Sequence, residues 1–340
     1  MILFRADGNA SIGSGHIMRC LSIADAFKRK QKDSLFVLAD KTFQSLVKER
    51  GYVTYILESD YRDMDSELDD MKNTIAVYRP EMLIVDSYYV TKKYLQELKE
   101  IAYLVYVDDL AAFAYPVDVL VNYNVYGLDV AYKSLYYKEN VTLPKLVLGL
   151  RYAPLREMFR NIPKRKQNET VKDILISTGG ADPIHLALKL VQHIAENNYS
   201  QRFHFLVGTM NTDYDDIKNI ASKHNNMFVH HNVKDMKKLI SSCDLAISAA
   251  GGTTYEISAC GVPMITYVLA DNQILGAALF EKLGLAISCG DLRNHDNAAK
   301  ILMNSIELLS KDFALRKVIG TLMQKLVDGF GADRLVAILS

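Results

Sequence analysis

Short apolar runs alternate with amphipathic stretches along the whole chain. In the first half, runs at Ile2–Arg5, Leu35–Leu38, Val53–Leu57, Met82–Val85, Leu104–Val107, Val119–Val121 and Lys145–Leu148 predict strands. Segments 16–30, 42–50, 63–78 and 91–101 predict the helices between them. The first segment places Ile17, Cys20, Leu21, Ala24 and Phe27 on one stripe, as a helix with a single buried face requires. Uninterrupted apolar strands separated by helices imply parallel pairing, with both faces of the sheet covered. The pattern breaks at RNIPKRKQNETVKD, residues 160–173, a polar stretch containing Pro163 that predicts a domain boundary. Beyond it the alternation resumes. Strands are expected at Ile174–Ser177, Phe203–Val207, Met227–His230, Leu245–Ser248, Met264–Val268 and Ala286–Cys289. Helices are expected at 184–197, 214–224, 233–242, 253–260, 272–283 and roughly 296–327. The expected fold class is α/β, with two Rossmann-like doubly wound parallel-sheet domains at 1–160 and 173–340, joined by a linker at 161–172. Such sheets bind ligands beyond the carboxyl ends of their strands.

Composition narrows the function classes. A chain of 340 residues suits two domains, and 49% apolar with 24% charged residues is ordinary for a globular protein. Lys+Arg and Asp+Glu both number 40, which argues against a general nucleic-acid or anionic-membrane binder. An anion site built from backbone N–H groups remains open, since it needs no net charge. Cys20, Cys243, Cys260 and Cys289 show no CxxC spacing, so neither a zinc site nor a disulfide framework is expected. The chain opens directly into the strand-like MILFRAD without a signal-peptide pattern, and no apolar run reaches the roughly 18–20 residues of a bilayer span. A cytoplasmic location without stable membrane insertion is expected.

Three strand–glycine turn–helix units carry the candidate chemistry. In FRADGNASIGSGHIMRC, Gly13-Ser14-Gly15 leads from a strand into a helix that opens near His16. Glycines permit close backbone approach to a ligand, free N–H groups favour a phosphate, and a His there suits a general base. A plain glycine turn with a solvent-facing His fits the same residues. In ILISTGGADPIHLAL, the Gly179-Gly180 turn can cradle a pyrophosphate or serve only as a tight βα turn. In LAISAAGGTTYEISACGVPMITY, Gly251-Gly252-Thr253 precedes Glu256, whose carboxylate could accept ribose hydroxyls or lie in solvent. Asn272 and Gln273 follow the next strand and could bind sugar or diphosphate, although helix capping by Asp271 fits there as well. Smaller signals, Asp86-Ser87-Tyr88, Asp108-Asp109 and Asn122-Tyr123-Asn124, sit at strand ends of the first domain. Asp108-Asp109 lacks a third acidic ligand at clear spacing, so a metal is not expected.

Read together, the R-x-D…G-x-G-H-x-x-R pattern and the segments IVDSYYV, VDDL, DVLVNYNVY, LGLRYAPLREMF, STGGAD and SAAGGTTYEISACGVP resemble the UDP-sugar hydrolases of pseudaminic acid biosynthesis. The resemblance covers nearly the whole chain. Its second half is also similar to the glycosyltransferases that add N-acetylglucosamine to lipid-linked peptidoglycan precursors. The resemblance implies a GT-B fold with UDP bound mainly by the second domain. It implies a UDP-2,4-diacetamido-2,4,6-trideoxy-altrose type of substrate, water attack at the anomeric carbon with inversion, and no cofactor or metal. His16 matches the family's catalytic His, Tyr88 a tyrosine of the same cleft, and Glu256 the ribose-binding Glu, while Asp7 and Asn122 fall on recurring polar positions. The candidate catalytic residues are therefore His16, Tyr88 and Asp7. Candidate substrate and UDP contacts are Arg5, Gly13, Gly15, Asn122, Gly179, Gly180, Gly251, Gly252, Thr253, Glu256, Asn272 and Gln273. The alternative is a GT-B UDP-sugar glycosyltransferase of surface polysaccharide synthesis, which would share these motifs.

Overall fold

The computed structural model describes residues 1–9 and 12–340. They form two compact units, Met1–Glu157 with Phe330–Ser340, and Met158–Gly329. The first unit holds strands β1 (Ile2–Ala6), β2 (Ser34–Leu38), β3 (Val53–Ile56), β4 (Met82–Asp86), β5 (Leu104–Val107), β6 (Val119–Asn122) and β7 (Lys145–Leu148). Its helices are α1 (Gly15–Arg29), α2 (Gln44–Glu49), α3 (Leu68–Tyr78), α4 (Lys92–Lys99) and α5 (Tyr132–Glu139). All seven strands pair in parallel, in the order β3-β2-β1-β4-β5-β6-β7. The inner strands β1, β2, β4, β5 and β6 are buried along their whole length, as their continuous Val/Ile/Leu/Phe runs require. The edge strand β3 alternates instead, and Val53 and Tyr55 face solvent.

The second unit contains β8 (Asp173–Ser177), α6 (Leu186–Ala195), β9 (Arg202–Val207), α7 (Tyr214–Ala221), β10 (Met227–His231), α8 (Met236–Ser242), β11 (Leu245–Ala249) and α9 (Thr253–Ala259). It continues through β12 (Met264–Val268), α10 (Ile274–Lys282), β13 (Ile287–Asp291), α11 (Ala298–Lys311) and α12 (Phe313–Leu326). Its six-stranded sheet is also parallel, in the order β10-β9-β8-β11-β12-β13. Each sheet reverses its strand order once, at β1/β4 and at β8/β11. In a sheet of this kind each reversal leaves a crevice at the ends of its own strands.

Three expectations need correction. The polar stretch expected as a linker at 161–172 is bonded along the second unit. Arg165 donates to the carbonyl of Ser241 at 2.9 Å, Gln167 to that of Gly261 at 2.7 Å, and Asn168 to Asp244 at 2.7 Å. The second domain does not run to residue 340, because α13 (Gly331–Leu339) returns to the first unit. There α13 packs on α1, with Leu335 and Val336 buried and Arg29 paired to Asp333 at 2.7 Å. The single helix expected over 296–327 is two, because the Asp312 carboxylate accepts from the Leu315 N–H at 2.8 Å and starts α12 afresh.

Candidate active site

In the first unit, Ala6 of β1 pairs with Asp86 of β4, so Asp7 and Asp86 leave the sheet at neighbouring levels of its order reversal. Helix α1 begins just beyond, and His16 and Arg19 lie three residues apart on one face. Both turn inward, with His16 only 4% exposed, and so the solvent-facing reading of this His does not hold. His16 Nδ1 lies 2.6 Å from Asp86 Oδ1. Arg19 donates from Nε to Asp86 Oδ2 and from Nη2 to Oδ1, and the Cys20 thiol adds a contact at 3.4 Å. Burial opposes ionisation of Asp86, but the Arg19 guanidinium and His16 outweigh it and hold the carboxyl well below its usual range. When the imidazole is neutral, an ionised Asp86 places its one proton on Nδ1, an assignment made from this geometry. His16 Nε2 then carries the lone pair, and it makes no hydrogen bond among the described residues. This is the arrangement of a general base held by a carboxylate.

Asp109, after β5, is the second hub. It accepts from Arg19 Nη1 at 2.8 Å, from the Tyr88 hydroxyl at 3.1 Å and from Asn124 Nδ2 at 2.7 Å. These bonds hold the Tyr88 ring edge-on to His16, with centroids 4.4 Å apart. Tyr123 accepts from Arg19 at 3.0 Å, and burial pushes its hydroxyl up to about 12. Asn122 is fully buried, donating to Tyr132 at 2.8 Å and accepting from both nitrogens of Asn124. It is held there among Tyr132 and Asn124 at the end of β6. Asp108 is taken up by its own loop, accepting from the Leu110 and Ala111 N–H groups and from the Tyr115 and Tyr132 hydroxyls. Among the described residues, no group of three or more His, Cys, Asp or Glu side chains is arranged to hold a metal ion.

A separate buried cluster surrounds Arg5. Its Nε and Nη2 donate to the two Glu67 oxygens at 2.6 and 2.9 Å, and Nη1 donates to Asp7 Oδ1. Arg5 is 0% exposed, every guanidinium nitrogen donates within the cluster, and Nη1 holds Asp7. Asp7 is 2% exposed, and its Oδ2 has no hydrogen-bond partner. Gly13 takes the left-handed backbone (φ +75°) and donates its N–H to the Asn9 carbonyl at 2.8 Å, while Gly15 opens α1 at an exposed position.

In the second unit the strand ends carry glycines in place of charges. Gly179 is left-handed (φ +84°), and side chains built at Gly179, Gly180 or Gly252 would meet only open space. Behind the first turn, a Cβ on Gly208 would lie 2.3 and 2.5 Å from the Gly180 and Gly179 carbonyl oxygens, so that close approach requires glycine. Asp182 caps α6, accepting from the Leu186 and Ala187 N–H groups at 3.0 and 2.7 Å, and burial raises its pKa. The start of α6 is thus already covered by a carboxylate. The N-cap residue of α9 is Gly252, which has no side chain to cap it; the helix follows Gly251-Gly252 and begins at Thr253. Gln273 accepts from the Leu269 N–H at 2.8 Å and turns Nε2 to within 3.9 Å of where a Gly251 side chain would begin. Asp271 does not cap a helix here; it is exposed and pairs with Arg293 at 2.6 Å. Glu256 is half-buried in the first turn of α9, and Asn272 is exposed.

The structure therefore brings His16 and Tyr88 together, sets Asp7 at the adjacent strand end, and groups Gly251, Gly252, Thr253 and Gln273 around one turn of the second unit. Sequence reasoning noted Asp86, Asp109 and Asn124 only as strand-end signals and Arg19 only as part of a motif, gave none of them a role in the site, and passed over Glu67. For Arg19 the signal was its i, i+3 spacing from His16; for Asp86 it was its place at the end of a strand neighbouring β1.

Two doubly wound parallel sheets make this a GT-B fold. Acinetobacter baumannii MurG matches it with a TM-score of 0.67 at 13% identity, over 99% of this chain and 98% of that one. Spinosyn rhamnosyltransferase SpnG matches with a TM-score of 0.69 at 12% identity over the whole of both chains. At such identities these likenesses speak to fold alone. Residues 153–279 match the lipid-A-disaccharide synthetase family model. In sequence the chain is a relative of the UDP-2,4-diacetamido-2,4,6-trideoxy-beta-L-altropyranose hydrolase of Campylobacter jejuni, as its motifs imply, at 26% identity over 75% of this chain and 86% of that protein. An uncharacterised protein of Methanocaldococcus jannaschii is 25% identical over 79% of the chain, which spans 55% of that relative's length. Spore coat polysaccharide biosynthesis protein SpsG of Bacillus subtilis is 25% identical over 98% of this chain and 96% of its own. Among the described residues no helix is long and apolar enough to cross a membrane.

Proposed function

We propose that this protein is a metal-independent, inverting hydrolase of a UDP-activated amino sugar, with His16 as general base. The observation that carries the reading is the Asp86–His16 pair, 2.6 Å apart, with the second imidazole nitrogen unengaged. Water oxygen attacks the anomeric carbon, and its proton passes to His16 Nε2. The bond from that carbon to the β-phosphate oxygen breaks, and UDP departs with the electron pair. Inversion follows from attack opposite the leaving group. UDP is a good leaving group, so a strong general acid is not needed. Tyr88, held by Asp109, walls the imidazole and limits its rotation.

The second unit is the nucleotide half of this reading. Asp182 already occupies the start of α6, which directs the diphosphate to the Gly251-Gly252-Thr253 turn, with the Gln273 amide as a side-chain donor. Backbone N–H groups there stabilise the charge that develops on the departing β-phosphate. Glu256 is assigned to the ribose hydroxyls. The Campylobacter relative's printed name supports a 2,4-diacetamido-2,4,6-trideoxyhexose as the sugar and pseudaminic-acid-type synthesis, in the cytoplasm, as the setting. The test is turnover of UDP-linked acetamido deoxysugars without an acceptor. Release of free sugar and UDP is expected. Release only on addition of a sugar or lipid acceptor would replace this reading with the transferase one, which the family match over 153–279 favours.

A further inference from the structure

The buried charges at the strand ends of the first unit do not balance. Arg5 faces Asp7 and Glu67, and Arg19 faces Asp86 and Asp109, so two guanidinium groups answer four carboxylates. A proton on His16, beside Asp86, would still leave one negative charge over. Neutral donors serve part of the surplus. Glu67 accepts from Arg5 at both oxygens, from Tyr94 at 2.9 Å and from Ser59 at 2.7 Å. Asp7 is served less well. It is 2% exposed, Arg5 holds its Oδ1, and no protein donor reaches Oδ2. A buried charge left short of partners costs free energy, and a buried carboxylate oxygen without a donor calls for an explanation.

Asp7 lines a recess beyond the ends of the adjacent strands β1 and β2, with Asn9, Asp40 and Tyr61 as its other polar walls. Asp40 brings a second carboxylate, which accepts from the Thr42 N–H at 2.7 Å and has no ion pair among the described residues. Ile17, Leu38 and Phe43 close much of the remainder, and no basic side chain lines the recess. The space is that of about one water molecule. An anion would be repelled by both carboxylates. A water would give Asp7 a donor but leave the surplus charge in place. A calcium-like divalent ion asks for about six oxygen ligands or more, which a partly apolar wall does not supply.

We infer that this recess binds one monovalent metal cation, Na⁺ or K⁺ in size, held by Asp7 Oδ2 and the Asp40 carboxylate. The ion offsets charge that Arg5 and Arg19 leave unanswered. It enters no step of the proposed hydrolysis, and the inference stands or falls apart from that reading.

The test follows thermal unfolding of the full chain at constant ionic strength, with tetramethylammonium chloride exchanged for NaCl or for KCl. Tetramethylammonium is too large for a recess the size of a water. An ion bound only by the folded state stabilises it by mass action, so Na⁺ or K⁺ should raise the unfolding midpoint saturably, by about 2–4 °C. Asp7→Asn and Asp40→Asn each remove one carboxylate, and in each the rise should vanish. Asp40→Asn keeps the test decisive if Asp7→Asn unfolds the Arg5 cluster, because Asp40 lies outside that cluster. Equal midpoints in all three salts overturn the inference and leave the recess to water alone. A rise that survives in Asp40→Asn, or in a folded Asp7→Asn, overturns it as well.

Discussion

The two units share a doubly wound parallel sheet but furnish their strand ends in opposite ways. Around β1, β4 and β5 the first unit gathers Arg5, Asp7, His16, Arg19 and Asp86, all buried, with the half-buried Asp109, held in ion pairs. Around β8 and β11 the second unit presents Gly179, Gly180, Gly251 and Gly252, whose side-chain positions face open space or a single amide. The same contrast appears in two buried aspartates. Asp86 is paired with Arg19 and pulled down, whereas Asp182 meets mainly backbone N–H groups and is pushed up by burial. Side-chain networks fix one proton-accepting atom in place. Glycine turns offer backbone donors at low steric cost. In the proposed reading, one topology carries chemistry in one unit and nucleotide binding in the other.

That division can be broken at four points. The largest effect is expected at His16: His16→Ala should lower kcat by about 10²–10⁴-fold, the usual range for a general base, with UDP affinity unchanged. Steady-state kinetics beside a UDP titration check this, and a parallel loss of UDP binding would erase the division of labour. Next is Asp86→Asn, which leaves the buried Arg19 short of a counter-charge and should cost roughly 3–5 kcal/mol of stability, measured by urea unfolding. The pH dependence of that stability has a definite sign. A carboxyl held below its unfolded value stabilises fully above about pH 4 and loses that contribution as pH falls toward the folded value. Wild-type stability should therefore drop below about pH 4, and the Asp86→Asn profile should be flatter there. In the second unit, Gly208→Ala forces the Gly179-Gly180 turn away from two carbonyl contacts and should cost about 1–3 kcal/mol, with UDP affinity largely kept because the diphosphate seat is assigned to the Gly251-Gly252 turn, read by thermal shift with and without UDP. The smallest effect is expected for Asp182→Ala, which removes the cap of α6 at a cost of about 1 kcal/mol. Unchanged UDP affinity in that variant supports the Gly251-Gly252 turn as the diphosphate seat, and a change of tenfold or more would move the seat to α6.

Much of the fold was legible because inner parallel strands are continuous apolar runs, and β5, β7 and β12 fall where those runs predict. Helix α5 was not, because YKSLYYKE lacks an aliphatic stripe; Tyr132 and Tyr136 instead bury their rings and satisfy their hydroxyls on Asp108 and the Tyr115 carbonyl. Helix α13 was missed for another reason: sequence order does not say which core a terminal helix will cover. Of the candidate site, His16 and Tyr88 could be read from local motifs. Their partners Asp86 and Asp109 could not, since each is 67 or more residues from the α1 side chains it binds and meets them only through strand order. Arg5 and Asn122 show the converse, polar residues at strand ends that turn inward to hold the frame.

The most direct test of the central claim is a product assay on the purified protein. UDP-linked acetamido deoxysugars are incubated with EDTA and without acceptor, and the products are followed by NMR. The account predicts free sugar, initially of inverted anomeric configuration, together with UDP, both abolished in His16→Ala. UDP binding with no release of sugar, or release that persists at full rate in His16→Ala, would contradict it.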